Sequence, residues 1–129
     1  MDMTHNELSS RIIGCAIDVH RELGPGLLES IYEECLVHVL REQGLHVIAQ
    51  QRVPLTFRGK VLSTPLRLDI LVEDLIIVEV KAVETIHDIF LTTLLSYLRL
   101  SDKRLGLLIN FHEIRLVDGI RRVVNGLKE

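Results

Sequence analysis

Three observations predict an α/β domain in this 129-residue chain. Two N-terminal stretches repeat apolar residues at helical spacing. Residues 67–82, RLDILVEDLIIVEVKA, read as two apolar strands joined by the polar pair Glu73-Asp74. A third helical stretch separates this hairpin from a last group of strands. That order makes a mixed central β-sheet flanked by helices. One domain spans residues 1–129, with enough chain to bury a real core.

The first helix is expected over residues 6–23, where Leu8, Ile12, Ala16, Val19 and Leu23 recur on one face. Gly24-Pro25-Gly26 stops it, because proline cannot continue a helix and glycine accepts positive φ. His20 falls in its last turn, where the helix dipole favours a cation. The second helix starts at residue 27 or 28 and ends at Gln43, before Gly44. Leu28, Ile31, Tyr32, Cys35, Leu36, Val39 and Leu40 form its expected apolar face. Glu29 lies in its first turn, where the dipole favours a negative charge. Glu29 and Glu33 share a face, and Glu33 and Glu34 read as surface charge.

Residues 46–57 read as extended, with Pro54 marking an edge or a bulge. Arg58-Gly59-Lys60 reads as a hairpin turn. The following strand runs from Val61 to Val72 with a break at Thr64-Pro65. The third helix is expected over residues 85–100, with Ile86, Ile89, Phe90, Leu94, Tyr97 and Leu98 as its apolar stripe. Leu105 to Asn110 reads as a strand. Residues 113–117 and 120–124 read as a closing hairpin around Asp118-Gly119, with Arg121 and Arg122 as edge charges. The last five residues are expected to fray.

Hydrophobic residues make up 47% of the chain, yet no apolar run reaches the ~18 residues of a membrane span. A large buried sheet and a self-association surface, hence a homodimer, account for this content. The polar start MDMTHNELSS lacks an apolar signal core, so the expected location is cytoplasmic. Cys15 and Cys35 sit among apolar neighbours and read as free thiols.

The formal net charge of −3 does not mark a nucleic-acid binder, but its distribution is uneven. Residues 43–68 carry Arg52, Arg58, Lys60 and Arg67 and no acid, whereas residues 69–98 carry Lys81 against six acids. Residues 99–122 are basic again. The basic segments read equally as a phosphate-facing rim around an acidic centre or as solvated strand ends. Five aromatic residues in all are too few for a single-strand stacking platform.

The second strand of the hairpin holds the chemistry. Glu79 and Lys81 are two apart and point to one face. Asp69 precedes Glu79 by ten residues. A buried charge costs several kcal/mol unless it is paired or bound to a cation. Converging Asp, Glu and Lys on so apolar a strand suggest a metal and phosphate site. The turn decides whether they converge. A two-residue turn at Glu73-Asp74 pairs Val72 with Leu75 and puts Asp69 and Glu79 on opposite faces. A three-residue loop, Glu73-Asp74-Leu75, or a bulge puts Asp69 directly across from Glu79.

Asp69, a spacer and Glu79-Val80-Lys81 resemble the PD-(D/E)xK nuclease motif, with Leu68 where proline is usual. Gly26-Leu27-Leu28-Glu29-Ser30-Ile31-Tyr32 is similar to the signature of the GxxExxY branch of that superfamily. Val19-His20, Leu23-Gly24-Pro25-Gly26, Gln51 and residues 106–111 extend the resemblance over residues 12–124. It implies a restriction-endonuclease-like core and a magnesium- or manganese-dependent nuclease acting on DNA, with duplex DNA as partner. Asp69, Glu79 and the Val80 carbonyl are then the implied metal ligands, and Glu29 binds directly or through water. Lys81 orients the attacking water or offsets phosphate charge. His20, Gln51 and Thr93 fall to supporting positions, and Arg52, Arg58, Lys60 and Arg67 to phosphate contacts. One departure stands out: relatives usually carry Gln where this chain has Thr93, and Thr reaches less far. The alternative is a non-catalytic nucleic-acid-binding or protein-assembly module that keeps the nuclease fold.

Overall fold

The computed structural model describes residues 3–128. Helix α1 spans His5–Leu23. Thr4 starts it with a reciprocal cap: its hydroxyl accepts from Glu7 N–H, and the Glu7 carboxylate accepts from Thr4 N–H. It ends at Gly24, whose φ of 69° only glycine adopts freely. Helix α2 spans Glu29–Glu42. Strand β1 (Val47–Val53) leads to a small ribbon, β2 (Thr56–Phe57) and β3 (Lys60–Val61), which forms a separate two-stranded sheet. Strands β4 (Leu66–Val72) and β5 (Ile76–Lys81) form the central hairpin, followed by α3 (Asp88–Ser101) and β6 (Leu105–Asn110). A 3-10 turn at Leu116–Gly119 precedes β7 (Ile120–Val124).

The sheet order is β1-β4-β5-β6-β7. All neighbours are antiparallel except β5 and β6, which are parallel and joined through α3. A parallel pair needs such a crossover, and the helix of that crossover must cover a sheet face. The sheet is therefore buried on both sides. One core holds Leu8, Ile12, Tyr32, Leu36 and Leu40 from α1 and α2 against Ile70, Val72, Ile76, Val78 and Val80. The other holds Leu94 and Leu98 from α3 against Leu66, Leu68, Leu71, Ile77 and Leu108. Double burial is why β6 reads as an apolar run up to Asn110 and β5 is apolar apart from Glu79 and Lys81. Among the described residues, no helix is long and apolar enough to cross a membrane.

Several expectations change in detail. Helix α2 begins at Glu29, and its buried face is Tyr32, Leu36, Val37 and Leu40. Leu28 is 70% exposed because it caps the helix from outside. Helix α3 begins at Asp88, since His87 is extended, and Ile89 faces solvent. Residues 113–117 form no strand. A 3-10 turn over Leu116–Gly119 takes up the residues that would close the expected hairpin, and β7 pairs with β6 instead. Within residues 113–117, Leu116 is buried in the core beside Phe111 and holds the segment down. The C-terminal tail is held rather than frayed as far as Leu127: Asn125 bonds the Lys103 and Arg104 carbonyls, and Leu127 packs on the core. Glu129 lies outside the described residues. Pro54 does border an edge strand, and both cysteines are free thiols.

Candidate functional site

The site forms where the central hairpin stops being a hairpin. Glu73 and Asp74 both take left-handed φ angles, 52° and 55°. Leu75 N–H closes the turn onto the Val72 carbonyl at 3.0 Å. Leu75 is then left over, and Val72 pairs with Ile76. The extra residue sets the parity, and the register Ile70–Val78 extends by one step to place Asp69 across from Glu79.

At that step side chains replace the backbone ladder. Asp69 N–H donates to Glu79 Oε1 at 3.4 Å, and Val80 N–H donates to Asp69 Oδ2 at 3.1 Å. The strand also changes face here. Alternate residues of a regular strand share one side, yet Leu66 and Leu68 lie in the α3-side core while Ile70 and Val72 lie in the other. The change falls at Asp69. In β1 the residue opposite is Gln50, bracketed by the pairs Ala49–Ile70 and Gln51–Leu68. Gln50 has a φ of 54°, uncommon for a non-glycine residue inside a strand. Both strands therefore turn over at one level.

The electrostatics follow from burial and crowding. Glu79 is only 7% exposed. Burial first, and then the negative charge of Asp69, push its carboxyl up to about 9, with Lys81 opposing. Glu29 is also raised by burial, opposed by Lys81 and reinforced by Asp69. Burial and then Asp69 raise Glu33, whose carboxylate accepts two hydrogen bonds from Gln50 Nε2 at 2.8 and 3.0 Å. The Tyr97 hydroxyl is raised by burial, then by Glu79 and Asp69. Four acidic side chains thus share one field with one lysine. Sequence reasoning left Glu33 on the surface. Its place one helical turn after Glu29 was the available signal. Gln50 gave none, because its role depends on its left-handed backbone.

Glu79 and Lys81 open onto a cleft of about 280 Å³ with Phe90, Thr93, Leu94, Tyr97 and Leu108. The Lys81 ammonium stands 4.7 Å from the Phe90 ring centre, a cation–π contact that keeps it in the cleft. Thr93 is part of this wall. His20 is not brought to the carboxylates by its contacts: its Nε2 bonds the Glu113 carbonyl at 2.7 Å beside Phe111. It ties α1 to the chain after β6. Gln51 bonds the Arg52 carbonyl. Arg52 and Arg67 are exposed and directly opposite each other across β1 and β4. Arg58 and Lys60 are exposed on the ribbon.

Tyr32 explains the spacing around Glu29. Its hydroxyl donates to the Gly24 carbonyl and accepts from Leu27 N–H, and its ring stacks on Phe111 at 4.6 Å. The loop before α2 is thereby fixed from inside the core. Glu29 follows as the first residue of the helix, where the dipole partly offsets its charge.

Two carboxylates facing each other in a buried place need a proton or a cation between them. Their oxygen donors suit a hard divalent ion, which takes few protein ligands and keeps waters. Among the described residues, no three His, Cys, Asp or Glu side chains stand ready as a metal cage. The fit therefore rests on the Asp69–Glu79 pair.

A mixed sheet between two helical layers, with this pair and a lysine on adjacent strands, fits the restriction-endonuclease-like fold. The chain belongs to the PD-(D/E)XK nuclease superfamily, whose family model matches residues 6–123. Nucleases of this superfamily usually use divalent metal ions. No curated protein and no solved structure matches the chain significantly.

Proposed function

We propose that the protein is a magnesium-dependent nuclease that hydrolyses phosphodiester bonds in DNA, within the GxxExxY branch of its superfamily. The observation that carries this reading is Asp69 opposite Glu79, with Lys81 on the same face of β5. Gly26, Glu29 and Tyr32 support the branch through the fixed loop before α2.

Asp69 and Glu79 would hold the ion, with the Val80 carbonyl as a candidate further donor and Glu29 contributing directly or through water. A bound divalent ion supplies positive charge at the phosphate and a more acidic water. Lys81 holds the attacking water by hydrogen bonding and offsets charge gathering on the phosphate oxygens. Phe90 and Leu94 keep that lysine in a partly apolar wall, which strengthens its field. Magnesium suits an all-oxygen donor set, and manganese substitutes for it. The exposed apolar side chains Leu27, Leu28 and Ile31 beside Glu29 support a homodimer that brings two such sites together.

The test is cleavage of plasmid, linear duplex, single-stranded DNA and RNA by purified protein with magnesium, manganese or chelator. Metal-dependent DNA cleavage that Glu79→Gln abolishes is the expected result. Binding without cleavage under every condition selects the non-catalytic module, and a shorter Thr93 in the cleft wall favours that outcome.

A further inference from the structure

The ribbon β2–β3 contributes nothing to the main sheet, yet it is built with care. Arg58 and Gly59 both take left-handed φ angles, 49° and 80°, which makes the tight turn that matches strand twist. Leu62 N–H closes the base onto the Leu55 carbonyl at 2.8 Å. Leu55 roots the ribbon in the α3-side core, together with Phe90 and Leu94 of the cleft wall. The ribbon therefore springs from the sheet face that also carries the cleft wall, the face to which Glu79 and Lys81 point, two and four residues after Ile77. Downstream it leads into β4, where Asp69 comes three residues after Leu66, about 10 Å of strand.

Its surface is unlike the rest of the chain. Of the five aromatic side chains, Phe57 alone is exposed, at 61%. Phe57 is paired across the ribbon with Lys60, and the Arg58 guanidinium lies over its ring at 5.3 Å. An exposed Phe costs solubility and contributes nothing to either core. The ribbon lies in the acid-free segment 43–68, inside a chain whose net charge is negative. A segment so charged repels a basic partner and attracts a polyanion.

We propose that the β2–β3 ribbon is a nucleic-acid arm. Arg58 and Lys60 grip backbone phosphates, and the Phe57 ring packs on a base exposed at a distorted or unpaired step of duplex DNA. The proposal rests on the nuclease reading and deepens it, because it names the feature of DNA that the site prefers. Phosphate contacts position without selecting, whereas an apolar ring favours steps that are already unstacked. A single ring suffices for such a wedge, although it makes no stacking platform.

The experiment is fluorescence-anisotropy binding in chelator, so that cleavage plays no part, over a range of salt. The probes are a perfect duplex, the same duplex with a central mismatched bubble, and the single strand. Wild type should bind the bubble most tightly. Phe57→Ala should lose that preference, by roughly fivefold or more, with an unchanged salt slope. The double change Arg58→Gln and Lys60→Gln should weaken all three probes alike and lower the log–log salt slope by about 2. All three side chains are exposed, so melting curves should match wild type. If wild type binds the probes and both variants bind as it does, the arm is wrong and the nuclease reading stands. If wild type binds no probe at low salt, the arm is overturned, and the cleavage assay with metal decides the nuclease reading separately. If Phe57→Ala weakens all probes equally, the wedge is overturned.

Discussion

The two ends of the β4–β5 hairpin use the same strands for opposite purposes. At the turn end, Ile70, Leu71 and Val72 pair with Val78, Ile77 and Ile76 in a regular ladder, and all six side chains are buried. Backbone groups satisfy each other there, and burial supplies the stability. At the other end, Asp69 and Glu79 take the places of ladder carbonyls and accept backbone N–H groups. That end is stable only as far as its two like charges are neutralised. Within a few residues the hairpin passes from a core of apolar contacts to a pair of carboxylates that need a proton or a cation between them. The lesson is that the ladder holds the pair in place, while the pair itself costs stability.

That contrast can be broken from either end. The largest effect should come from the ladder: Ile77→Ala empties a fully buried position and should cost about 2–5 kcal/mol in urea unfolding. A loss below 1 kcal/mol on that scale contradicts the assignment of the turn end as core. Next, Lys81→Ala should slow DNA cleavage about 100-fold or more while leaving the thermal response to magnesium intact. Loss of both makes the lysine part of the ion's binding rather than of the chemistry.

A smaller effect is a pH slope. Unfolded Glu79 releases its proton near the ordinary carboxyl value of 4.5, and the folded protein keeps it up to about 9. Between those values the folded state binds more protons, so metal-free stability should fall as pH rises through that window. Below it, the contribution of Glu79 is constant. Glu29 and Glu33 are shifted the same way and add to the slope. Removing the charge of Asp69 should flatten it. Unfolding curves of wild type and Asp69→Asn at several pH values check this, and parallel curves would sink it.

Much of the fold was legible because doubly buried strands and capped helices leave strong patterns. Helix α1, the strand Leu105 to Asn110 and the apolar hairpin are where the periodicity placed them. The facing of Asp69 and Glu79 was legible only as a choice between two turns. Leu75 decides it, and its being left out of the ladder depends on backbone angles at Glu73 and Asp74 that no side-chain pattern specifies. The segment 113–117 alternates like a strand, but Leu116–Gly119 winds into a 3-10 turn that breaks the expected hairpin. Glu33 looked like surface charge because its hydrogen-bond partner, Gln50, reaches it only through a left-handed turn inside β1. His20 matched a family position, yet its partner is a carbonyl 93 residues away.

The central claim is that Asp69 and Glu79 form a cation site which, when empty of metal, must hold a proton on Glu79 at a cost in stability. Asp69→Asn tests it at nearly constant volume. Its amide oxygen can still accept from Val80 N–H, and its amide hydrogens can donate to Glu79, a gain of about 1 kcal/mol. Thermal melting at pH 7.5 should show wild type rising in millimolar magnesium or manganese, as mass action requires of a ligand that binds only the folded state. Asp69→Asn should melt higher than wild type in chelator and should not respond to metal. A wild type indifferent to both ions, with Asp69→Asn melting lower, would make Asp69 a structural residue and contradict the account.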